Sequence, residues 1–304
     1  MTHAPIPRIA LLMATHNGRE FIEAQVMSIL QQQDVEVLLF TSDDDSTDGT
    51  RQWMDAFADR DDRVTIIREG RGGTAPRNFL RLALHADLAD ADAVGFVDQD
   101  DIWLPNKLAR QWASLQRADA VSSDVIAFYR DRPSQVIRKS QPQRRFDYLC
   151  ESGGPGCTFL LRREAFDHVI GSVRDHPLLP HAPAHDWLVY AVARALGYSW
   201  FIDPDPTMAY RQHGGNVIGA NVGISHARKR AKRLFSGEFR SQCTTIARLA
   251  ADAAHDDSDL AELADAFAQP SRASHLALTR MSGELRRRPR DRRILQALIA
   301  SGLF

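Results

Sequence analysis

The stretch AVGFVDQDD, residues 93–101, is an unbroken apolar run that leads directly into three closely spaced carboxylates. A short apolar run without alternation predicts a strand buried on both faces, as in a parallel sheet covered by helices. Asp98, Asp100 and Asp101 repel one another at this spacing, and a divalent cation with oxygen ligands is the usual compensation. The alternative interpretation of the bare pattern is a solvated acidic loop that caps the next helix.

The residues before this stretch alternate between short apolar runs and segments with helical spacing of apolar residues. Such alternation predicts an α/β fold in which βαβ units build a mostly parallel sheet flanked by helices. The predicted strands cover 9–14, 35–40, 64–67 and 93–97. Polar clusters follow three of these strands, at 15–17, 43–45 and 98–101. We therefore expect a ligand site at the carboxyl edge of the sheet, and a helix capped by Ser46 or Thr47 after the second strand.

The composition limits the classes of partner. With 304 residues, of which 44% are hydrophobic, the chain has enough apolar material for one substantial α/β domain and an appendage. Its 38 basic and 39 acidic residues leave a net charge of −1, so we expect no nucleic-acid partner. The three cysteines form no CxxC pair, which favours a reducing cytoplasm. No window holds about 18 unbroken apolar residues, so a soluble or membrane-peripheral protein is expected.

Several stretches of the chain carry a family resemblance. In chain order they are ATHNGREFI, TSDDDSTDGT, GGTAPRN, VDQDDIWLPNKL, PGCTFLLRREAF, HDWLVYAVARALG and YRQHGGNVIGAN, which together span about residues 8–225. Their content and order resemble family 2 glycosyltransferases, and more narrowly bacterial rhamnosyltransferases of surface-polysaccharide synthesis, such as that of O-antigen in the cell envelope. The resemblance implies an A-type nucleotide-sugar-binding fold and an inverting transfer of a sugar from a nucleoside diphosphate onto a hydroxyl.

The resemblance also implies a division of the chain. Residues 1–224 would form the catalytic domain, with a nucleotide-sugar half at about 1–120 and an acceptor half at about 121–224. From residue 225 the pattern is helical and its charges are segregated, so 225–304 is predicted to be a helical C-terminal region.

The family assigns nucleotide-binding roles to matched positions. Thr15 and Asn17, after the first strand, would line the nucleotide pocket. Asp44 would accept a hydrogen bond from the imide N–H of a pyrimidine, because a carboxylate only accepts. Arg77 and Asn78 would approach the base and the diphosphate, where a guanidinium supplies a fork of donors.

Two positions near that pocket depart from the usual family pattern. His16 stands where a tyrosine is frequent, and Asp45 stands where a glycine usually follows the aspartate pair. Helix capping is an alternative role for the acids at 43–45. Which of Asp43, Asp44 and Asp45 reads the base is therefore left open.

The resemblance also implies a metal site and a general base. Asp98 would lie near the ribose and the cation, and Asp100 would coordinate a Mg²⁺ or Mn²⁺ cofactor that bridges the two phosphates. His213 is a further candidate metal ligand or phosphate contact, and Asp101 would support the loop. Asp186, at a helix start, matches the base that deprotonates the acceptor hydroxyl. A favourable interaction with the helix dipole is the alternative role of Asp186.

Three further positions belong to the acceptor side or to the loops around it: Gly156, Trp187 and Arg211. Cys157 is predicted to be a small packing residue, because no partner base accompanies it in the sequence.

The resemblance favours transfer of L-rhamnose from dTDP-L-rhamnose to a glycan or a lipid-linked polysaccharide acceptor. The alternatives are a UDP-hexose donor and a non-catalytic protein that binds sugar nucleotides. A dinucleotide-dependent oxidoreductase would share the βαβ pattern, but the first loop, THNG, lacks the GxGxxG that binds a cofactor pyrophosphate.

Basic residues cluster twice near the C-terminus, at 228–233 and 286–293. Such clusters suit an anionic membrane surface, which predicts a cytoplasmic enzyme with peripheral contact at the inner face of the membrane. The alternatives are pairing with the intervening acids in a helical bundle, or the interface of a homo-oligomer.

Overall fold

The computed structural model describes residues 5–69, 72–213, 236–302 and 304. The chain forms two compact units. Unit 1 comprises residues 1–140, 154–171 and 198–216, and unit 2 comprises 141–153, 172–197 and 217–304. The predicted domain boundary at residue 224 lies outside the described residues and stays a prediction.

The main sheet of unit 1 has seven strands: β1 (Arg8–Thr15), β2 (Glu36–Asp43), β3 (Val64–Ile66), β4 (Ala93–Val97), β6 (Ala120–Ser123), β9 (Leu160–Arg162) and β10 (Trp200–Asp203). Their order in the sheet is β10-β6-β9-β4-β1-β2-β3. All neighbours pair in parallel except β9, which runs antiparallel between β4 and β6. The predicted α/β fold with a mostly parallel sheet is confirmed.

The helices of unit 1 cover the apolar faces of this sheet. They are α1 (Ile22–Leu30), α2 (Thr50–Ala58), α3 (Ala75–His85), α4 (Lys107–Leu115) and most of α5 (Arg163–Val173). In α1 the apolar residues at i, i+4 and i+7, Ile22, Val26 and Ile29, are fully buried, as the helical spacing predicts.

The predicted cap of α2 is wrong. The N-cap is Gly49, with φ 93°, because the Ser46 hydroxyl is already used by the carboxylate of Asp43. The first-turn N–H of Thr50 donates instead to the carboxylate of Asp48. A left-handed N-cap of this kind requires glycine.

A second sheet of unit 1 brings distant segments to the end of β4. Its order is β5-β11-β7-β8, formed by β5 (Ile102–Trp103), β7 (Val125–Tyr129), β8 (Gln135–Ile137) and β11 (Met208–Gln212). In the antiparallel pair of β11 and β5, Met208 lies opposite Trp103. This register carries the residues after Met208 alongside the acidic loop that precedes β5.

Unit 2 is helical. It contains α6 (His185–Ala195), α7 (Glu238–Ala254), α8 (Ser258–Ala268), α9 (Arg272–Met281) and α10 (Pro289–Ala300), with a short 3₁₀ segment at Asp147–Leu149. Helix α7 packs on both α6 and α8 through a buried stripe that includes Cys243, Ile246 and Leu249. The predicted helical C-terminal region is confirmed for 236–302. Among the described residues, no helix combines the length and the apolarity needed to cross a bilayer.

Candidate active site

The three predicted polar clusters meet at one edge of the main sheet. Strand β1 pairs in parallel with β2 and with β4, and Thr15 lies opposite Asp43. The Gln99 side chain joins two of the loops, because it accepts from the N–H of His16 at 2.9 Å and donates to the carbonyl of His16 at 2.8 Å. A Cβ on Gly18 would lie 2.3 Å from the Gln99 amide oxygen, so this bridge requires glycine there.

The acids after β2 have separate structural tasks. The Asp43 carboxylate accepts from the Thr15 hydroxyl at 3.0 Å and from the N–H of Ser46 at 2.9 Å. Asp44 accepts from the N–H groups of residues 72 and 73, at 3.0 and 2.9 Å. Asp45 is exposed and has φ 59°, a left-handed conformation that explains why glycine suits this position. Which of these acids reads a base stays a prediction.

The other predicted nucleotide-binding residues differ in their exposure and in the hydrogen bonds they make within the protein. The buried Asn78 amide donates to the carbonyl of Ser42 at 2.9 Å and accepts from Arg81 at 2.7 Å. The Asn17 side chain accepts from the N–H of Thr47 at 2.8 Å. Arg77, in the first turn of α3, is exposed. Arg77 is therefore better placed than Asn78 to reach a bound anion.

The structure brings two of the predicted metal ligands together. Nε2 of His213 lies 2.7 Å from Oδ2 of Asp100, although 113 residues separate them in the chain. Asp98, Asp101 and Cys157 also converge, and one potential ligand atom from each lies within 4.8 Å of the others. Carboxylate oxygens with an imidazole nitrogen form a donor set that suits Mn²⁺ or Mg²⁺. The residues present therefore fit a divalent cation at the end of β4.

Asp101 is a fully buried member of this group and holds the loop. Its fully buried carboxylate accepts from the N–H of Arg211 at 3.0 Å. Burial raises the pKa of Asp101 well above its usual value, and the negative charges of Asp98 and Asp100 raise it further. The thiol of Cys157 is buried beside this carboxyl group, and burial raises its pKa well above the usual range. A buried, protonated thiol packs rather than reacts, as the sequence predicted for Cys157.

Sequence reasoning missed Lys107, which is fully buried at the start of α4. Its ammonium donates to the side chain of Gln111 at 2.8 Å and lies 3.7 Å from the ring centroid of Trp103. Burial lowers the pKa of Lys107 to about 7, although nearby Cys157 and Asp101 oppose the shift. The sequence NKL gave no signal of this burial, because a lysine in a first helical turn is ordinarily exposed.

Arg211, on β11, bonds to the acidic loop that follows β4. Its guanidinium donates from Nε to the carbonyl of Asp100 at 2.7 Å. The guanidinium carbon lies 4.8 Å from the ring centroid of Phe21 and 4.6 Å from that of Phe128. Of the two predicted roles, loop and acceptor contact, these contacts support the loop role. Gly156 also belongs to unit 1, in a buried 3₁₀ turn at Gly156–Thr158.

The predicted general base belongs to unit 2. Asp186 lies half-buried in the first turn of α6, and its carboxylate accepts from the N–H of Trp187 at 2.7 Å. Trp187 is a packing residue of this unit, because its indole N–H donates to the carbonyl of Tyr148 and its ring stacks on Phe239. Burial lowers the pKa of the neighbouring His185 to about 3, so this imidazole is neutral.

Comparison with known proteins places this site in a family. A model described as glycosyl transferase family 2 matches residues 10–170. The dTDP-rhamnosyl transferase RfbG of Shigella flexneri is 38% identical over 247 residues, which cover 79% of this chain and 85% of that protein. The Escherichia coli UDP-Glc:alpha-D-GlcNAc-diphosphoundecaprenol beta-1,3-glucosyltransferase WfgD is 32% identical over 49% of this chain and 57% of its own length.

A solved structure agrees in fold. S. aureus TarS 1–349, in complex with UDP-GlcNAc, superposes with a TM-score of 0.59 and covers 97% of this chain and 87% of its own, at 14% identity. The resemblance predicted from the motifs is confirmed by the family match and by the identity to RfbG. The chain belongs to glycosyl transferase family 2 and is a glycosyltransferase similar to rhamnosyltransferases.

Proposed function

We propose that the protein transfers L-rhamnose from dTDP-L-rhamnose to a hydroxyl of a glycan or lipid-linked polysaccharide acceptor. The observation that carries the proposal is the contact of His213 with Asp100, in the acidic loop that Asp98 begins at the end of β4, in a chain 38% identical to a dTDP-rhamnosyl transferase. Asp98, Asp100 and His213 would hold Mg²⁺ or Mn²⁺, which when bound offsets the negative charge of the departing diphosphate. Arg77 would contact the same diphosphate.

Asp186 is the proposed general base. Its carboxylate would take the proton of the acceptor hydroxyl while that oxygen bonds to the anomeric carbon and the bond from that carbon to the diphosphate oxygen breaks. Attack from the face opposite the diphosphate inverts the anomeric configuration. Asp186 lies in the first turn of α6, where the positive end of the helix dipole favours a negative charge.

A UDP-hexose donor is the second candidate. It is favoured by the similarity to WfgD, whose name specifies UDP-Glc and a diphosphoundecaprenol-linked acceptor. The match to WfgD is shorter and weaker than the match to RfbG, so dTDP-L-rhamnose is the preferred donor. The non-catalytic alternative is not favoured, because the chain retains candidate residues for both the metal site and the base.

Peripheral membrane contact would suit a lipid-linked acceptor. In the second basic cluster Arg288, Arg290 and Arg293 are exposed, and Ile294 beside them is 45% exposed. Arg287 is buried instead, so this cluster offers fewer cations to a membrane than its sequence suggests. The first cluster, 228–233, lies outside the described residues. A homo-oligomer also stays a prediction.

Calorimetric titration with dTDP, UDP and GDP, each with and without Mn²⁺, tests the donor. We expect metal-dependent binding with a preference for dTDP, followed by release of dTDP from dTDP-L-rhamnose when acceptor is present. A preference for UDP would mean that the donor is a UDP-sugar, and glycosyl transfer would remain the proposed reaction. Absence of binding by all three nucleotides would overturn the proposed activity.

Asp186→Asn tests the base independently of the donor. We expect kcat to fall by about 10²- to 10⁴-fold, which is the usual contribution of a general base, while the affinity for dTDP and Mn²⁺ is unchanged. Asp167→Asn, which alters an exposed acid of α5 paired with Arg163, is the matched control. Turnover by Asp186→Asn within threefold of wild type would remove Asp186 from the mechanism.

A further inference from the structure

The ring of Phe21 contacts two residues at the end of β11. Its centroid lies 4.8 Å from the centroid of the His213 imidazole, with an interplanar angle of 33°, and 4.8 Å from the guanidinium carbon of Arg211. Both neighbours are tied to the acidic loop, His213 through Asp100 and Arg211 through the carbonyl of Asp100. Phe21 therefore connects the start of α1 to two residues that contact the acidic loop.

The position of Phe21 is fixed by its own backbone. Phe21 is the N-cap of α1, and its N–H donates to the carbonyl of Gly18 at 2.9 Å. The N–H of Gly18 in turn donates to the hydroxyl of Thr50 at 2.9 Å. An aromatic ring on such a fixed segment limits the rotation of the imidazole that packs against it.

A metal-ligating imidazole needs support of this kind. The orientation of a histidine ligand is set by the groups around its ring, and loss of that support commonly weakens metal affinity by about 10- to 100-fold. Here Asp100 contacts Nε2 of His213 and Phe21 contacts its ring face.

We propose that Phe21 is a positioning residue that holds the His213 imidazole in the orientation required for the divalent cation. The inference rests on the proposed function, because it takes His213 to be a metal ligand. Phe21 touches neither the donor nor the reacting atoms in this scheme, and acts only through His213.

The test is a double-mutant cycle on Mn²⁺ affinity, measured by electron paramagnetic resonance of free Mn²⁺ in the presence of dTDP. Phe21→Leu keeps an apolar side chain but removes the ring face, so Mn²⁺ affinity should fall about threefold to tenfold. Phe21→Tyr keeps the ring and should bind Mn²⁺ like wild type. In a His213→Ala background, Phe21→Leu should change the affinity by less than about twofold, because the proposed route through His213 is gone.

The controls separate packing from positioning. Phe57→Leu removes a ring that stacks on Trp53 of α2, and it should lower thermal stability without changing Mn²⁺ affinity. If Phe21→Leu lowers Mn²⁺ affinity equally with and without His213, or does not lower it in the wild-type background, the proposed role of Phe21 is wrong. The proposed metal site is unaffected by either result.

The remaining outcomes concern the proposed function. If Asp100→Asn abolishes Mn²⁺ binding while His213→Ala does not change it, the metal site stands and the role of Phe21 is wrong. If wild type does not bind Mn²⁺ in the presence of dTDP, both the proposed metal dependence and this inference fail.

Discussion

Two buried aspartates, one in each unit, are surrounded by opposite kinds of charge. Asp101 in unit 1 lies beside Asp98 and Asp100, and the pKa of its carboxyl group is raised first by burial and then by these two acids. Asp147 in unit 2 is equally buried, but its carboxylate lies 3.4 Å from Arg194 and 3.5 Å from Arg287. Burial raises the pKa of Asp147 as well, and the two arginines oppose that rise.

The difference separates a structural site from a ligand site. Around Asp147 the protein supplies the compensating cations itself, together with hydrogen bonds from the hydroxyl of Tyr190 and the N–H of Arg144. Around Asp101 the nearby buried cation is Lys107, whose own pKa burial lowers to about 7, so its positive charge is partly lost at neutral pH. A cluster of acids that the protein leaves undercompensated is suited to a cation from solution.

The largest expected effect follows from breaking the compensated cluster. Asp147→Asn removes the carboxylate partner of Arg194 and leaves the buried Arg287 paired with Glu151 alone. Loss of one partner of a buried ion pair costs about 3–5 kcal/mol. The free energy of unfolding, measured by urea titration, should fall by about that amount. The matched control is Arg280→Met, which removes the exposed pair with Glu262 and should cost less than about 1 kcal/mol. Equal losses from the two variants would show that the ion pairs of Asp147 contribute no more to the free energy of unfolding than an exposed pair does.

Much of the fold of unit 1 follows from local patterns. The apolar runs at 9–14, 35–40, 64–67 and 93–97 correspond to β1 to β4, because a strand covered on both faces needs continuous apolar residues. The sheet of β5, β7, β8 and β11 was not predicted. A two-residue strand such as Ile102–Trp103 has no readable period, and its pairing with β11 depends on residues more than 100 positions away.

The candidate site shows the same limit. The carboxylates at 98–101 and the candidate ligand His213 are visible as motifs, whereas the burial of Lys107 and Arg287 is not. Arg287 lies in the run LRRRPRDRR, which suggests a solvated or membrane-facing cluster. Its guanidinium is instead buried against Asp147 and Glu151 of unit 2. Motifs reveal chemistry that a ligand requires, but compensation within a core depends on tertiary partners.

A smaller effect of opposite sign should result from Asp101→Asn. Asparagine keeps the acceptor for the N–H of Arg211 and removes a carboxyl group whose folded-state pKa is raised. A raised carboxyl pKa means that wild-type stability falls as the pH rises from the usual value of 3.8 towards the folded-state value. In EDTA, we expect Asp101→Asn to be more stable than wild type at pH 8, with a smaller difference at pH 5.

Urea unfolding at the two pH values measures this difference. A loss of stability in Asp101→Asn that matches the loss in Asp147→Asn would mean that both acids are internally compensated, and the distinction between the two clusters would be wrong. Addition of Mn²⁺ should stabilise wild type at pH 8, because an ion bound to the folded state shifts the equilibrium towards it.

The smallest expected effect concerns the buried cation beside Asp101. Above pH 7 the folded protein holds Lys107 neutral while the unfolded chain keeps it protonated up to its usual pKa of 10.5, so the unfolded state binds more protons. Stability therefore rises with pH in this window, and Lys107→Met removes that contribution. Between pH 7 and pH 8, the free energy of unfolding of wild type should gain about 1 kcal/mol relative to Lys107→Met.

Arg287, which keeps its charge throughout this range, provides the contrast: Arg287→Met should be destabilised equally at both pH values. A constant difference between wild type and Lys107→Met across the window would show that Lys107 stays charged in the folded protein, and the cluster around Asp101 would then be compensated from within, like the cluster around Asp147.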